Sequence, residues 1–282
     1  MNFERIRPSI DVDAMQQCHI TMVGGAIGLA ADLVRSGLGS VSLVDYDHID
    51  SSNPARQDFV SIEIGFRKVE AAAAWYRRIN PDIEVETHVT NFCAIPRDTF
   101  DELFGHTDLF VLATDFFPAQ ARGNLEAVRL GKPSLSIGLY RGARAGEVVL
   151  QLPGRACYRC ICKSRYDAFT TGQTQVTSAG GTILDLRLVD AVAGYLAVGV
   201  LTQGADNRFG TLIEKLNSRN LFQIKLDPDY TLGERDIFRE FLGEHPANFS
   251  FNTIALSIDR DEQCPDCAPI HARRERLTCD AS

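Results

Sequence analysis

Short apolar runs alternate with longer amphipathic segments along the first half of the chain. Runs rich in valine, leucine and isoleucine predict buried strands at 19–23, 40–45, 108–114, 133–139 and 146–152. Strict alternation over 83–89 predicts a half-buried strand. Helical periodicity predicts helices over 30–38, 62–80, 98–104 and 119–131. This order indicates an α/β fold with a Rossmann-like, doubly wound, mostly parallel sheet.

A glycine or an aspartate marks the end of three of the predicted strands. Gly24, Asp45 and Asp115 each stand where an apolar run ends. Ligands of open parallel sheets bind beyond the carboxyl ends of the strands. We therefore expect the functional site at this edge of the sheet.

The composition is that of an ordinary globular protein, with 45% hydrophobic and 23% charged residues among 282. A net charge of −8 argues against sequence-independent binding of nucleic acid, which needs cations to neutralise phosphates. The N-terminus has no apolar run, and the most apolar stretch, 188–201, contains Asp190 and is too short to cross a membrane. We expect a cytoplasmic protein that contacts neither membrane nor nucleic acid, with 188–201 as a buried helix.

A glycine-rich turn joins the first strand to the first helix. Gly24, Gly25 and Gly28 would let a phosphate approach the backbone and the free N–H groups of the helix. Asp45 follows at a spacing suited to a ribose hydroxyl. Because G-x-G-x-x-G is incomplete, a plain tight turn explains these glycines equally well. An NAD(P)-dependent oxidoreductase also fits this start.

The turn after the second strand concentrates charged and amide side chains. They are Asp45, Asp47, Asn53, Arg56 and Gln57, with Lys68 beyond them. Arginine and lysine together can neutralise a triphosphate, and amides can orient it. The alternative is that Arg56 only pairs with Asp45 or Asp47.

Two C-x-x-C pairs occur, Cys157 with Cys160 and Cys264 with Cys267. Four thiolates form a closed, structural zinc site, whereas a single pair could be a redox centre. Two pairs in a cytosolic chain favour zinc, which would tie the C-terminal segment to the sheet. Cys162 is an additional thiol beside the first pair.

The second turn and the segment after it resemble the ThiF/MoeB family of ubiquitin-activating (E1-like) adenylyltransferases. The family pattern is S-N-L-x-R-Q, then I-G-x-x-K and a helix ending in N-P. The residues in step with it are Ser52, Asn53, Arg56, Gln57, Ile64, Gly65, Lys68, Asn80 and Pro81. Its T-D landmark is at 114–115, and its C-x-x-C pairs are also present. The resemblance covers about 18–200 and resumes at the last cysteines.

The resemblance implies ATP, Mg²⁺ and Zn²⁺ as cofactors. By position, Asp45 would hold the ribose and Asp115 the Mg²⁺. The phosphates would be held by Asn53, Arg56, Gln57 and Lys68. The implied activity is adenylation of the C-terminal carboxylate of a ubiquitin-like or sulfur-carrier protein that ends in glycine. The family pattern also implies a homodimer, with 188–201 as its candidate contact or, alternatively, an internal core helix.

We expect an ATP-binding adenylation domain over 1–200. A C-terminal segment, 201–282, would complete the zinc site and is a candidate for recognising the substrate tail. Three departures from the family pattern matter: the incomplete glycine loop, Phe116 where asparagine is common, and no cysteine between 165 and 195. The missing cysteine favours adenylation without thioester transfer. The incomplete glycine loop and Phe116 leave open the alternative of a non-catalytic scaffold that binds a ubiquitin-like partner.

Overall fold

The computed structural model describes residues 1–172, 180–244 and 249–268. Within these ranges the strands are β1 (His19–Gly24), β2 (Ser40–Val44), β3 (Glu84–His88), β4 (Leu109–Ala113), β5 (Ser134–Leu139), β6 (Ala145–Gln151), β7 (Leu221–Lys225) and β8 (Thr253–Leu256). The α-helices are α1 (Val12–Met15), α2 (Ile27–Arg35), α3 (Lys68–Ile79), α4 (Arg97–Phe104), α5 (Phe117–Leu130), α6 (Tyr158–Ile161), α7 (Lys163–Thr170), α8 (Ile183–Leu201), α9 (Leu212–Leu216) and α10 (Ile237–Leu242).

These strands form one sheet in the order β3-β2-β1-β4-β5-β6-β7-β8. The first five strands pair in parallel, and β6, β7 and β8 continue the sheet in antiparallel pairs. The chain order reverses between β1 and β4, which is the switch point where such sheets open a crevice for ligands. The predicted Rossmann-like, mostly parallel sheet is confirmed.

Helices cover both faces of the sheet because its central strands are apolar on both sides. Leu29 of α2, Ala72 of α3 and Ala193 of α8 belong to the larger core cluster on one face. Phe100 and Phe104 of α4 belong to a separate aromatic cluster on the other face. Both clusters exclude water, so the parallel strands between them are held rigidly.

The predicted helix over 62–80 is wrong in its first part. Ser61–Glu63 forms a separate 3₁₀ turn, and the α-helix begins only at Lys68. Gly65 has φ of +92°, a left-handed conformation that cannot continue a right-handed helix. The interruption places Lys68 at the first position of α3, facing the end of β2.

The apolar stretch 188–201 belongs to α8. Val189, Ala193 and Ala197 are fully buried in the core, as an internal helix requires. Tyr195 is 52% exposed on the opposite face. The homodimer therefore stays a prediction, since one face of this helix is used within the chain. No helix in the described ranges is long and apolar enough to span a membrane.

The C-terminal segment contributes directly to the sheet. β7 pairs with β6, and β8 pairs with β7. Cys264 and Cys267 then lie against Cys157 in a small buried cluster. The division at residue 200 into two functional parts stays a prediction.

Candidate functional site

A cavity of about 530 Å³ opens at the carboxyl ends of β1, β2 and β4. All residues predicted to bind nucleotide or magnesium line it: Gly24, Gly25, Gly28, Asp45, Asp47, Asn53, Arg56, Gln57, Lys68 and Asp115. These residues come from four separate segments of the chain. The sheet topology brings them together at its switch point.

The glycine turn is packed too tightly for larger residues. Gly24 has φ of +92°, and a Cβ there would lie 2.5 Å from the carbonyl oxygen of Ala113. The amide of Gly25 donates to the same oxygen at 3.1 Å, which fixes the turn against β4. The turn leads directly into α2, whose first N–H groups have no partner within the helix.

Gln57 fills the space in front of the glycine turn. Its Nε2 donates to the carbonyl oxygen of Gly25 at 3.1 Å, and a Cβ at Gly25 would overlap this amide. Its Oε1 is buried and has no partner in the described part of the chain. A buried acceptor without a donor costs free energy, so a ligand hydroxyl or amine that donates to Oε1 would be bound favourably.

The aspartates at the end of β2 have different partners. The carboxylate of Asp45 accepts from the backbone N–H of Asp47 at 2.9 Å, and burial raises the pKa of Asp45. Asp47 forms an ion pair of 2.9 Å with Nζ of Lys68, whose side chain is only 13% exposed. The lysine is thus held beside the cavity by a carboxylate of the same turn.

Arg56 pairs with neither aspartate. Its guanidinium has no ion pair or hydrogen bond within the described ranges, although it lines the cavity. Asn53 opens the 3₁₀ turn Asn53–Ala55, and its Oδ1 accepts from the backbone N–H of Asp50. The turn therefore presents an arginine whose charge is available to an anionic ligand.

Asp115 is the second residue after β4, with Phe116 46% exposed beside it. The backbone N–H of Phe116 donates to Oγ1 of Thr114, which closes the turn into α5. Behind the turn, Nε2 of Gln120 donates to the carbonyl oxygen of Thr114 at 2.8 Å. A carboxylate on such a buttressed turn is a suitable oxygen ligand for Mg²⁺.

These groups together fit a magnesium nucleotide. Arg56 and Lys68 supply positive charge, and the start of α2 supplies N–H groups for phosphate oxygens. Asp45 would supply acceptors for ribose hydroxyls, and Asp115 would supply an oxygen ligand for a hard cation.

Asp190 of α8 also lines the cavity, and sequence reasoning assigned it no role. It is 7% exposed, and its Oδ1 has no hydrogen-bond partner in the described ranges. Burial raises the pKa of Asp190 from 3.8 to about 7, partly offset by Arg187, while Asp58 and Asp32 add to the rise. The sequence feature that could have indicated a role for Asp190 is its position as the single charged residue within the apolar stretch 188–201.

We expect Asp190→Asn to remove a pH dependence of stability. Between the ordinary pKa and about 7, the folded state binds a proton at Asp190 that the unfolded state has released. Raising the pH from 5 to 8 therefore lowers the free energy of unfolding, by about 2–3 kcal/mol from this group. Urea unfolding at both pH values measures the effect. An unchanged slope in Asp190→Asn, relative to the exposed control Asp98→Asn, would contradict the assignment.

The four cysteines of the two C-x-x-C pairs converge. Their sulfurs all lie within 4.8 Å of one another, with Sγ separations of 3.8, 3.7 and 3.4 Å for Cys157–Cys160, Cys157–Cys264 and Cys160–Cys267. Zn–S bonds of about 2.3 Å in a tetrahedron give sulfur separations of about 3.8 Å. The arrangement is therefore close to the spacing that a tetrahedral zinc site requires.

The remaining described cysteines lie outside this cluster. Cys162 is 7% exposed and packs with Tyr158 in a different apolar cluster. Burial raises the pKa of Cys18 to about 11 and also raises the pKa of Cys93. Cys279 lies outside the described residues. None of the three described thiols lines the cavity.

Comparison with known proteins gives one family. A model described as the ThiF family matches residues 1–225. Ubiquitin-like modifier-activating enzyme 5 of Dictyostelium discoideum is 32% identical over 155 residues, which are 50% of this chain and 40% of that protein. The rat protein of the same name is 30% identical over 199 residues, 64% of this chain and 48% of that one. This chain thus matches less than half of the length of these relatives.

Solved structures show the same fold. E. coli MccB, crystallised with ATP, has a TM-score of 0.65 at 18% identity over 91% of this chain and 68% of its own. The fold, the arrangement of the cavity and a family match across residues 1–225 agree. The chain belongs to the ThiF family.

Proposed function

We propose that this protein uses ATP to adenylate the C-terminal carboxylate of a ubiquitin-like or sulfur-carrier protein that ends in glycine. The observation that carries the proposal is the convergence of Arg56, Lys68 and Asp115 on one cavity with the glycine turn and Asp45. E1-like relatives and the ThiF family support adenylyl transfer in general.

In the proposed reaction, a carboxylate oxygen of the acceptor attacks the α-phosphorus of ATP, and the bond from that phosphorus to the bridging oxygen of pyrophosphate breaks. Charge moves onto the leaving pyrophosphate, and Arg56 and Lys68 stabilise it. Asp45 orients the ribose. Because the attacking carboxylate is already ionised, no general base is needed, which agrees with a cavity that no histidine lines within the described part of the chain.

Asp115 would hold Mg²⁺, which neutralises phosphate charge when bound. Lys68 must divide its interaction between Asp47 and the phosphates, since Asp47 contacts its ammonium group directly. This pairing keeps the lysine ordered before nucleotide arrives. The four cysteines would hold Zn²⁺ in a structural role, because all four positions of a tetrahedron are taken by protein.

We propose that the product is an acyl-adenylate without a thioester on this chain. A thioester needs a thiolate near the adenylate, and none of the thiols outside the zinc cluster lines the cavity among the described residues. Cys18 is instead used internally, donating to the carbonyl oxygen of Ala14. The cytoplasmic location and the homodimer belong to the same proposal.

Substrate-dependent ATP–pyrophosphate exchange tests this function. The acceptors are ubiquitin-fold and sulfur-carrier proteins with a free Gly-Gly terminus, each paired with the same protein carrying a C-terminal amide. We expect exchange with at least one free acceptor and none with its amide, because only the free form has a nucleophilic carboxylate. Exchange with no acceptor, together with undetectable ATP binding, would instead support a non-catalytic scaffold.

An NAD(P)-dependent oxidoreductase is not supported by the site. Arg56, Lys68 and Asp115 have no evident task in hydride transfer, yet all three line the cavity. The same preparation titrated with NADH, followed by nicotinamide fluorescence, would show binding if this alternative were correct.

A further inference from the structure

A chain of hydrogen bonds connects the cysteine cluster to the turn that carries Asp115. The connection runs through α5 and through Tyr158, which lies inside the first C-x-x-C pair. Its members are almost completely buried: Tyr158 and Asn124 are 0% exposed, Gln120 6% and Asp266 7%.

The first part of the connection joins both halves of the cysteine cluster to α5. Asp266 lies between Cys264 and Cys267, and its Oδ2 accepts from Nδ2 of Asn124 at 2.9 Å. The backbone N–H of Tyr158 donates to Oδ1 of the same asparagine at 2.8 Å. Asn124 thus uses both ends of its amide, one on each half of the cluster. Its position therefore depends on the two halves being held together.

The second part joins Tyr158 to the cavity. Its hydroxyl donates to Oε1 of Gln120 at 2.6 Å, and Nε2 of Gln120 donates to the carbonyl oxygens of Thr114 at 2.8 Å and Ile137 at 3.2 Å. Thr114 immediately precedes Asp115. Because carbonyl oxygens can only accept, Nε2 of Gln120 must face Thr114 and Ile137, and the hydroxyl of Tyr158 holds the opposite end of the amide through Oε1.

The same hydroxyl reaches a second wall of the cavity. It accepts from Nη1 of Arg165 at 2.9 Å, and Arg165 also forms an ion pair with the buried carboxylate of Glu147. Arg165 lines the cavity beside Tyr140. One buried phenol therefore contacts Gln120, which supports the Asp115 turn, and Arg165, which also lines the cavity.

We propose that Tyr158 and Gln120 are positioning residues that transmit the assembly of the cysteine cluster to the turn carrying Asp115. Buried polar networks hold a single arrangement when every member is paired, and one lost partner loosens them. The role assigned to Asp115 rests on the proposed function, whereas the mechanical connection does not. Without zinc in the cysteine cluster, Asp115 would then be poorly placed, even though the side chains proposed to bind the nucleotide are intact.

The matched variants are Tyr158→Phe and Tyr166→Phe. Each removes one buried hydroxyl from the same region, but the hydroxyl of Tyr166 has no hydrogen-bond partner in the described ranges. Both variants should retain one zinc per chain, measured by elemental analysis. The comparison therefore isolates the hydrogen bonds of Tyr158 from the loss of an oxygen atom.

The first readout is ATP binding by calorimetry, with Mg²⁺ and with EDTA. We expect Tyr158→Phe to weaken binding in Mg²⁺ by about 10-fold, a typical effect of losing an outer-shell hydrogen bond, and to leave binding in EDTA unchanged. Tyr166→Phe should match the wild type in both. A general structural defect would weaken both binding constants alike and would overturn the proposal.

The second readout needs no activity. Hydrogen exchange of the backbone amides around 113–116 should be faster in Tyr158→Phe, and faster in the wild type after zinc is removed, while β2 amides serve as the internal reference. Unchanged exchange at 113–116 in Tyr158→Phe would overturn the connection. If wild-type ATP binding does not depend on Mg²⁺, the proposed function fails at Asp115, and this readout still decides the connection.

Discussion

Asp115→Asn should reduce acceptor-dependent ATP–pyrophosphate exchange by about 1,000-fold or more. The substitution keeps the size of the side chain and removes the charge that would hold Mg²⁺ at the phosphates. Electrostatic groups of this kind commonly supply two to three orders of magnitude or more of rate. The effect should appear in the maximal rate, because the charge is needed most as pyrophosphate leaves.

The matched control is Asp98→Asn, an equal change of charge at an exposed position of α4 away from the cavity. It should exchange pyrophosphate at the wild-type rate. Alanine at Asp115 should behave like asparagine. Retention of more than a tenth of the exchange rate in Asp115→Asn would remove this carboxylate from the proposed mechanism and leave the metal ligand to be sought elsewhere in the cavity.

Cys264→Ser should abolish binding of one zinc per chain and lower the free energy of unfolding by at least about 3 kcal/mol. In small domains, structural zinc contributes apparent binding free energies of about 10–16 kcal/mol, part of which is folding free energy. Here Cys264 is 1% exposed and joins the C-terminal segment to Cys157, so its loss also separates the two halves of the cluster.

Cys162→Ala is the matched control for this prediction. Cys162 is also buried and follows Cys160 closely, but it lies outside the four-sulfur cluster. We expect it to retain one zinc per chain and to lose about 1 kcal/mol of stability through lost packing. Zinc content by elemental analysis and unfolding in urea distinguish the two variants. Equal zinc content in Cys264→Ser and Cys162→Ala would show that Cys264 is not a zinc ligand.

Much of the fold could be predicted from hydrophobic periodicity. The apolar runs predicted at 19–23, 40–45, 108–114, 133–139 and 146–152 agree with β1, β2, β4, β5 and β6 to within one residue at each end. Periodicity was misleading at 62–80, because the alanine-rich centre is strongly helical while Gly65 adopts a left-handed conformation before it. Helix propensity summed over a segment does not predict the φ angle of a single residue within it.

The ten residues predicted to bind nucleotide or magnesium could be found because each belongs to a short motif of fixed spacing. Other residues that line or support the cavity, such as Asp190, Gln120 and Asn124, belong to no such motif. Gln120 and Asn124 stand four apart on the buried face of α5, a pattern that signals buried amides but not their partners. In the sequence, Tyr158 is simply an aromatic residue between the two cysteines of a C-x-x-C pair. Nothing in the sequence indicates that its hydroxyl contacts Gln120.

The sequence by itself determined the α/β architecture, the glycine turn, the charged turn after β2 and the two C-x-x-C pairs. All of these depend on residues that are close along the chain or are repeated in a pattern. The tertiary structure alone decided that Lys68 pairs with Asp47, that Arg56 pairs with neither aspartate, and that Asp190 is buried against the cavity. Such pairings depend on how the crossover connections place distant segments side by side, and local sequence carries no record of that geometry.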